Sequence, residues 1–245
     1  LALTSGHVYR WGLLGAHGAS ASPLRRGPDV DKAPKVVPTP TSIASSWVRQ
    51  EADESGCPDG QVRSIACSGS NSFLVTASGE VYLLGGLWPP GGDPAALRRI
   101  WGSPAGGPPS KVMKVAAGWR HCLILTEMGT VFALGDDEYG QCAGVNSGKV
   151  AVNIRAQDSV IGVSAGACHS LAWDRAGVAY AWGHSGSGRL GVPGQTHRHT
   201  PVQVQSLPEP VTHVDCGANF TAFVTNQGRD LWTCGGNQYG QLGLG

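Results

Sequence analysis

Apolar residues in this chain fall in short runs, each broken by glycine or a polar pair. The clearest stretch is 112–141. There Val112–Ala117, Cys122–Leu125 and Val131–Leu134 are separated by breaks at Gly118 and at Glu127-Met128-Gly129. Runs this brief, bounded by glycine, predict strands and not helices. Gly129 supplies the positive φ that a tight hairpin turn requires. The predicted unit is a small antiparallel meander, and one copy alone cannot hide its apolar faces.

The same pattern returns along the chain. A piece of the form Gly-x-Val-Tyr-x-Trp-Gly occurs as 6–12, 79–85, 129–135 and 177–183, and with one extra residue as 228–235. Its turn glycines are 6, 79, 129, 177 and 228, in steps of 73, 50, 48 and 51 residues. A second piece precedes it at a fixed offset. Gly118, Gly166 and Gly217 stand eleven residues before their turn glycines, and Ser68 fills that place in the earlier copy. Ahead of these lie Val62-x-x-Ile65, Val112-x-x-Val115, Val160-x-x-Val163 and Val211-x-x-Val214. A period near 50 with several strands per period predicts a repeat array of the β-propeller type.

The expected organisation is one all-β propeller domain over 1–245, with repeat units at about 1–15, 62–85, 112–143, 160–191 and 211–245. Two segments, 16–61 and 86–110, fall outside the repeat and read as insertions. The first is rich in Pro, Ser, Ala and Gly, and Ser45–Asp53 is compatible with a short helix. In the second, Trp88-Pro89-Pro90 precedes Ala95–Trp101, which is compatible with one or two helical turns. The chain opens at Leu1 in mid-pattern, as the second half of a unit, which reads as a processed, truncated or partial chain.

Composition narrows the function. Only 14% of the residues are charged and the formal net charge is +1, which argues against a surface built to neutralise nucleic-acid phosphates. No apolar run is long enough for a membrane-spanning helix. The seven cysteines are an odd number and mostly sit at strand positions. They read as small buried hydrophobes in an intracellular, reducing compartment, with nucleus, cytoplasm and mitochondrion all left open.

The Ala-Gly-x-x-His-x-Leu-x-Leu-Thr-x-x-Gly-x-Val-Phe-x-Leu-Gly pattern, with the tail Asn237-x-Tyr239-Gly240-Gln241-Leu242-Gly243, resembles the repeat of the regulator of chromosome condensation family. The resemblance covers nearly all of 62–245 and 1–15. It implies a propeller of four-stranded blades, seven in complete members. Seven blades at this period need about 350 residues, so the ring here is incomplete or part of a seven-bladed one. The founding member exchanges nucleotide on a small GTPase and binds nucleosomes, and others act in ubiquitin ligases, receptors or organellar assembly. The repeat belongs to the fold and not to any one of these roles.

Candidate chemistry is sparse. His121 and His169 recur at equivalent places, which favours a structural hydrogen bond closing the Ala-Gly turn over catalysis. Cys168-His169 and His213-x-x-Cys216 lack a matching second pair at zinc spacing. His184–Arg189 is rich in glycine but has no following Lys-Ser/Thr. No catalytic, cofactor or metal site is expected. The candidate partner-binding residues are Trp88 and Trp101 as exposed aromatic anchors, the acidic cluster Asp136-Asp137-Glu138, and the basic loop His197-Arg198-His199, which would suit a local RNA contact. The expected function is a non-catalytic protein-interaction scaffold within a larger assembly, with nucleotide exchange on a Ras-like GTPase as the alternative.

Overall fold

The structure, a computed structural model, describes residues 2–4, 7–14, 35–43, 62–69, 71–85, 97–102, 110–194 and 197–244. The chain is all-β, and its described residues divide into two compact units, Leu1–Gly107 and Pro108–Gly245. In the first unit β1 (Ala2–Thr4), β2 (His7–Leu14) and β3 (Lys35–Ile43) form one antiparallel sheet. A four-stranded sheet follows from β4 (Val62–Cys67), β5 (Asn71–Thr76), β6 (Val81–Gly85) and β7 (Leu97–Trp101).

The second unit contains three described sheets. The first is β8 (Val112–Ala117), β9 (His121–Thr126), β10 (Val131–Gly135) and β11 (Ser147–Ala151). Next come β12 (Val160–Ala165), β13 (His169–Asp174), β14 (Ala179–Gly183) and β15 (Arg198–Gln203). The last is three-stranded: β16 (Val211–Cys216), β17 (Phe220–Thr225) and β18 (Asp230–Gly235). Two residues fix the hairpin between β9 and β10. Gly129 takes φ +73° and donates to the Thr126 carbonyl, while the Thr126 hydroxyl accepts the Thr130 amide. Only glycine adopts that backbone freely. The first strand of every full unit is irregular at its second residue, with the pairing broken between Val62 and Ser64, Val112 and Lys114, Val160 and Gly162, and Val211 and His213. A repeated bulge of this kind increases the local twist of the strand.

Two expectations change. The predicted insertions carry strands: β3 lies inside 16–61 and β7 inside 86–110. The helical turns expected over Ala95–Trp101 are replaced by β7, whose Trp101 pairs with Val81. These outer strands occupy sheet edges, where proline is tolerated. Pro38 and Pro40 of β3 and Pro201 of β15 all fall where the pairing with the inner neighbour is irregular. The short helix expected over Ser45–Asp53 lies outside the described residues.

Successive sheets of the second unit pack face against face. Leu123, Leu125, Val131 and Ala133 meet Val160, Val163, Ala172, Tyr180 and Trp182 of the next sheet. Leu171, Trp173, Ala179 and Ala181 in turn meet Val211, Val214 and Phe223. Each such side chain removed from water contributes about 1.5–3 kcal/mol, so one sheet's exposed face is the next sheet's core. Burial also raises the thiols: Cys122 is pushed up to about 12, which makes it a packing residue and not a nucleophile.

Hydrogen bonds reinforce the stacking at repeated positions. The His121 ring meets Ser170 of the next sheet (Nε2–Oγ 2.9 Å), and Ser170 donates to the Gln141 carbonyl at 2.8 Å. Because the Ser170 hydrogen goes to Gln141, His121 carries its proton on Nε2 and donates. Trp182 Nε1 donates to the same carbonyl at 2.9 Å. One sheet on, His169 meets Thr221 at 3.0 Å and Thr221 donates to the Arg189 carbonyl at 2.7 Å. The histidine side chains thus join neighbouring sheets, while the Ala-Gly turn is closed by the backbone, Gly118 N–H to His121 carbonyl. The imidazole folds back over Gly118, where a Cβ would collide with it. That contact explains the Ala-Gly-x-x-His spacing.

Candidate interaction surface

In an antiparallel meander, the ends of the first and third strands and the start of the second meet at one edge of the sheet. In the second unit this edge gathers the Gly118–Arg120 turn, the Asp136–Val145 loop, the Gly166–Cys168 turn, the His184–Pro193 loop and the approach to β15 at His197. Short strands with fully buried residues, such as β9 and β13, hold the loops rigidly.

The acidic cluster divides into separate tasks. Asp137 serves its own loop, accepting the Cys142 amide at 2.7 Å and the Gly144 amide at 2.9 Å. Asn237 repeats this role with the Leu242 amide, and Gln141 and Gln241 each accept the amide of Tyr139 or Tyr239 at 2.8 Å. The Asp/Asn-x-Tyr-Gly-Gln tail is therefore a self-bonded loop. Asp136 lies 3.6 Å from Arg120, whose carbonyl accepts the Asp136 amide at 2.8 Å. Glu138 is exposed.

The basic loop meets this acidic loop. Tyr139 packs edge-on against His184 (ring centroids 4.6 Å) and His197 (5.1 Å), and the two imidazoles lie 4.5 Å apart. Gly140 sits against the backbone of His199, where a Cβ would come within 2.5 Å of the His199 Cα. Arg198 donates to the Pro193 carbonyl at 2.9 Å, and His199 is exposed. Arg189 is mostly buried and donates to the Gly186 carbonyl and to Asn219. Burial, with Arg189 and His197 adding to it, lowers the pKa of His184. The neighbouring Glu138 carboxylate is the main cause that raises the Tyr139 phenol, followed by burial and Cys168.

Six of the sequence-predicted residues, Asp136, Asp137, Glu138, His197, Arg198 and His199, thus come together at one edge. Trp101 does not join them: it is only 6% exposed, so it is a core residue of its own sheet and not an exposed anchor. Trp88 lies outside the described residues. Sequence reasoning missed Trp119, half exposed at 51%, and Arg120 beside it. Both occupy the variable positions of Ala-Gly-x-x-His, and those positions are the ones the fold turns outward. Tyr139 and His184 were also missed, being hidden within the repeat's tail. Among the described residues there is no group of three or more metal-ligating side chains, and no helix is long and apolar enough to cross a membrane.

Comparison with known proteins places these repeats. The regulator of chromosome condensation (RCC1) repeat matches residues 176–224, and a second description of that repeat matches 112–141 and 211–241. The chain is 32% identical over 139 residues to human probable E3 ubiquitin-protein ligase HERC4, covering 54% of this chain and 13% of that protein. Among solved structures, human WBSCR16 is 26% identical with a TM-score of 0.64, covering 76% of this chain and 50% of that one. Prp20p from Saccharomyces cerevisiae, whose structure was described with its binding to Gsp1p and histones, has a TM-score of 0.74 at 16% identity, covering 98% and 56%. The chain spans about an eighth of that ligase and about half of those solved chains.

Proposed function

This chain is a β-propeller repeat protein of the regulator of chromosome condensation family, and on that premise we propose that it is a non-catalytic scaffold that docks another protein on the edge built from Trp119, Arg120, Glu138 and Tyr139. One observation carries the reading: rigid stacked sheets hold an exposed Trp-Arg pair beside the acidic loop. Trp, Tyr and Arg dominate protein-binding hot spots because they combine large contact area with directional polar groups. The positive groups of the basic loop are largely engaged within the protein, with Arg198 on a carbonyl and His197 in the ring cluster, so a protein partner fits better than RNA. An intracellular, reducing compartment agrees with the free cysteines of the described residues.

The test is co-purification from native lysate with the tagged chain and its Trp119→Ala/Arg120→Ala variant. The reading predicts discrete partners that the variant loses. An equal set of partners with both proteins, or a partner-free monomer with the wild type, counts against it. Nucleotide exchange on a small GTPase is the second reading, drawn from the binding of Prp20p to Gsp1p. A fluorescent-nucleotide release assay across small GTPases decides it, and no acceleration removes it.

A further inference from the structure

The ring cluster at the docking edge has a chemical feature that packing alone does not require. The Gly186 amide donates to His184 Nδ1 at 3.0 Å, and the Ser185 amide donates to His197 Nδ1 at 3.4 Å. Both imidazoles therefore act as acceptors at Nδ1 and carry their proton on Nε2. Two successive amides of one loop are held by two histidines, one at the loop's start and one on the approach to β15. The same two rings receive Tyr139 from the preceding sheet. The groups facing the cluster are Arg189 beside His184, Glu138 and Cys168 beside Tyr139, Asp136 further along that loop, and His199 behind Gly140; Arg198 points to the Pro193 carbonyl.

We propose that the Tyr139–His184–His197 cluster is an acid-opened latch: protonation of His184 at Nδ1 removes the acceptor of the Gly186 amide and sets a cation beside Arg189, so the 184–189 loop and Tyr139 separate. A protonated Nδ1 faces an N–H donor, and two donors cannot bond. The His197 ring lies 4.5 Å from that of His184 and both pack on Tyr139, so displacing His184 breaks the packing of the whole cluster. The direction of the shift at His184 agrees: its pKa is lowered, so the latch is fully closed above the ordinary imidazole range and opens as the pH falls below it. The consequence for docking rests on the reading above. Acid releases Tyr139, deforms the edge and weakens partner binding.

The test reads the latch itself. Amide hydrogen exchange at Ser185 and Gly186 is followed by NMR between about pH 7.5 and about pH 5 in the full chain. The comparison is His184→Asn, whose amide oxygen accepts at the Nδ1 position and does not titrate. Protection at Ser185 and Gly186 falls about 10-fold more in the wild type than in the variant over this range, the titration of His121 and His169 being common to both proteins. An equal loss in both proteins overturns the proposal. A second measurement guards against a variant that fails to close. Imidazole 15N shifts at neutral pH show His184 with a bare, hydrogen-bonded Nδ1, and an Nδ1–H tautomer overturns the proposal. These readouts need no partner, so a chain that docks nothing counts against the docking reading alone.

Discussion

Lowering the pH should weaken the stacking between sheets through His121 and His169, and the structure gives the size of the effect. Both rings are buried, 3% and 0% exposed, and burial is the largest cause of their shifts. His121 is lowered to about 4, with Asp136 only partly opposing, and His169 to about 3, with Arg189 adding to burial. The unfolded chain titrates near 6.5. The folded pKa values lie below the unfolded one, so the unfolded state binds more protons in acid. The stability from the neutral, buried rings is complete above about pH 6.5 and is lost as the pH falls toward 4. At about pH 5.5 each histidine costs about 1 kcal/mol, and at about pH 4.5 between roughly 2 and 3 kcal/mol, so the pair removes roughly 5 kcal/mol. That is comparable to the whole stability of a marginal domain.

The perturbation that isolates this effect is already present in the molecule. Phe220 stands where the last unit would carry the histidine, and its ring lies over Gly217 as His121 lies over Gly118. In His121→Phe/His169→Phe the hydroxyls of Ser170 and Thr221 keep their carbonyl partners. Urea unfolding followed by tryptophan fluorescence, at about pH 7.5 and about pH 5.5, compares the two proteins. The wild type should lose roughly 2–3 kcal/mol more than the variant between these conditions. Equal pH dependence in both proteins would refute the reasoning, because the remaining titrating groups are common to them.

Other perturbations follow from the same contacts. Gly118→Ala drives a methyl into the His121 ring and to 2.6 Å from the Gly166 carbonyl, so denaturation should show a loss of about 2–3 kcal/mol or more, whereas Gly240→Ala, at φ +72° with nothing within 4 Å, should cost about 1 kcal/mol. Trp182→Phe removes the indole donor to the Gln141 carbonyl inside a fully buried site, and thermal or urea unfolding should register about 1–3 kcal/mol. Arg120→Ala deletes an exposed ion pair and should leave stability within about 0.5 kcal/mol, so any loss of partner binding in that variant reports the surface and not the fold.

The second and third strands of the central sheets were legible because both of their faces are covered. β9 and β13 are buried at every position, and their apolar centres, Cys122–Leu125 and Leu171–Trp173, are each followed by a turn glycine. The outer strands were not legible. β15, Arg198–Gln203, has a neighbour on one side only and is largely half-buried or exposed. Such a strand tolerates Pro201, histidine and arginine, and it reads as a loop. Trp101 was read as exposed because nothing local reveals that β7 sets it opposite the buried Val81. At the candidate site, the charged clusters 136–138 and 197–199 were visible as polar breaks between strands. Their meeting through Tyr139 and His184 depends on how one sheet stacks on the next, and no local pattern encodes that distance.

Photo-crosslinking tests the central claim most directly. A photoreactive phenylalanine analogue replaces Trp119 at the docking edge in one protein, and Met128, 74% exposed in the hairpin turn at the other end of the same sheet, in a second. Irradiation in native lysate should give discrete protein adducts from position 119 and none from position 128. No adduct from position 119, or the same adducts from both, would contradict the account.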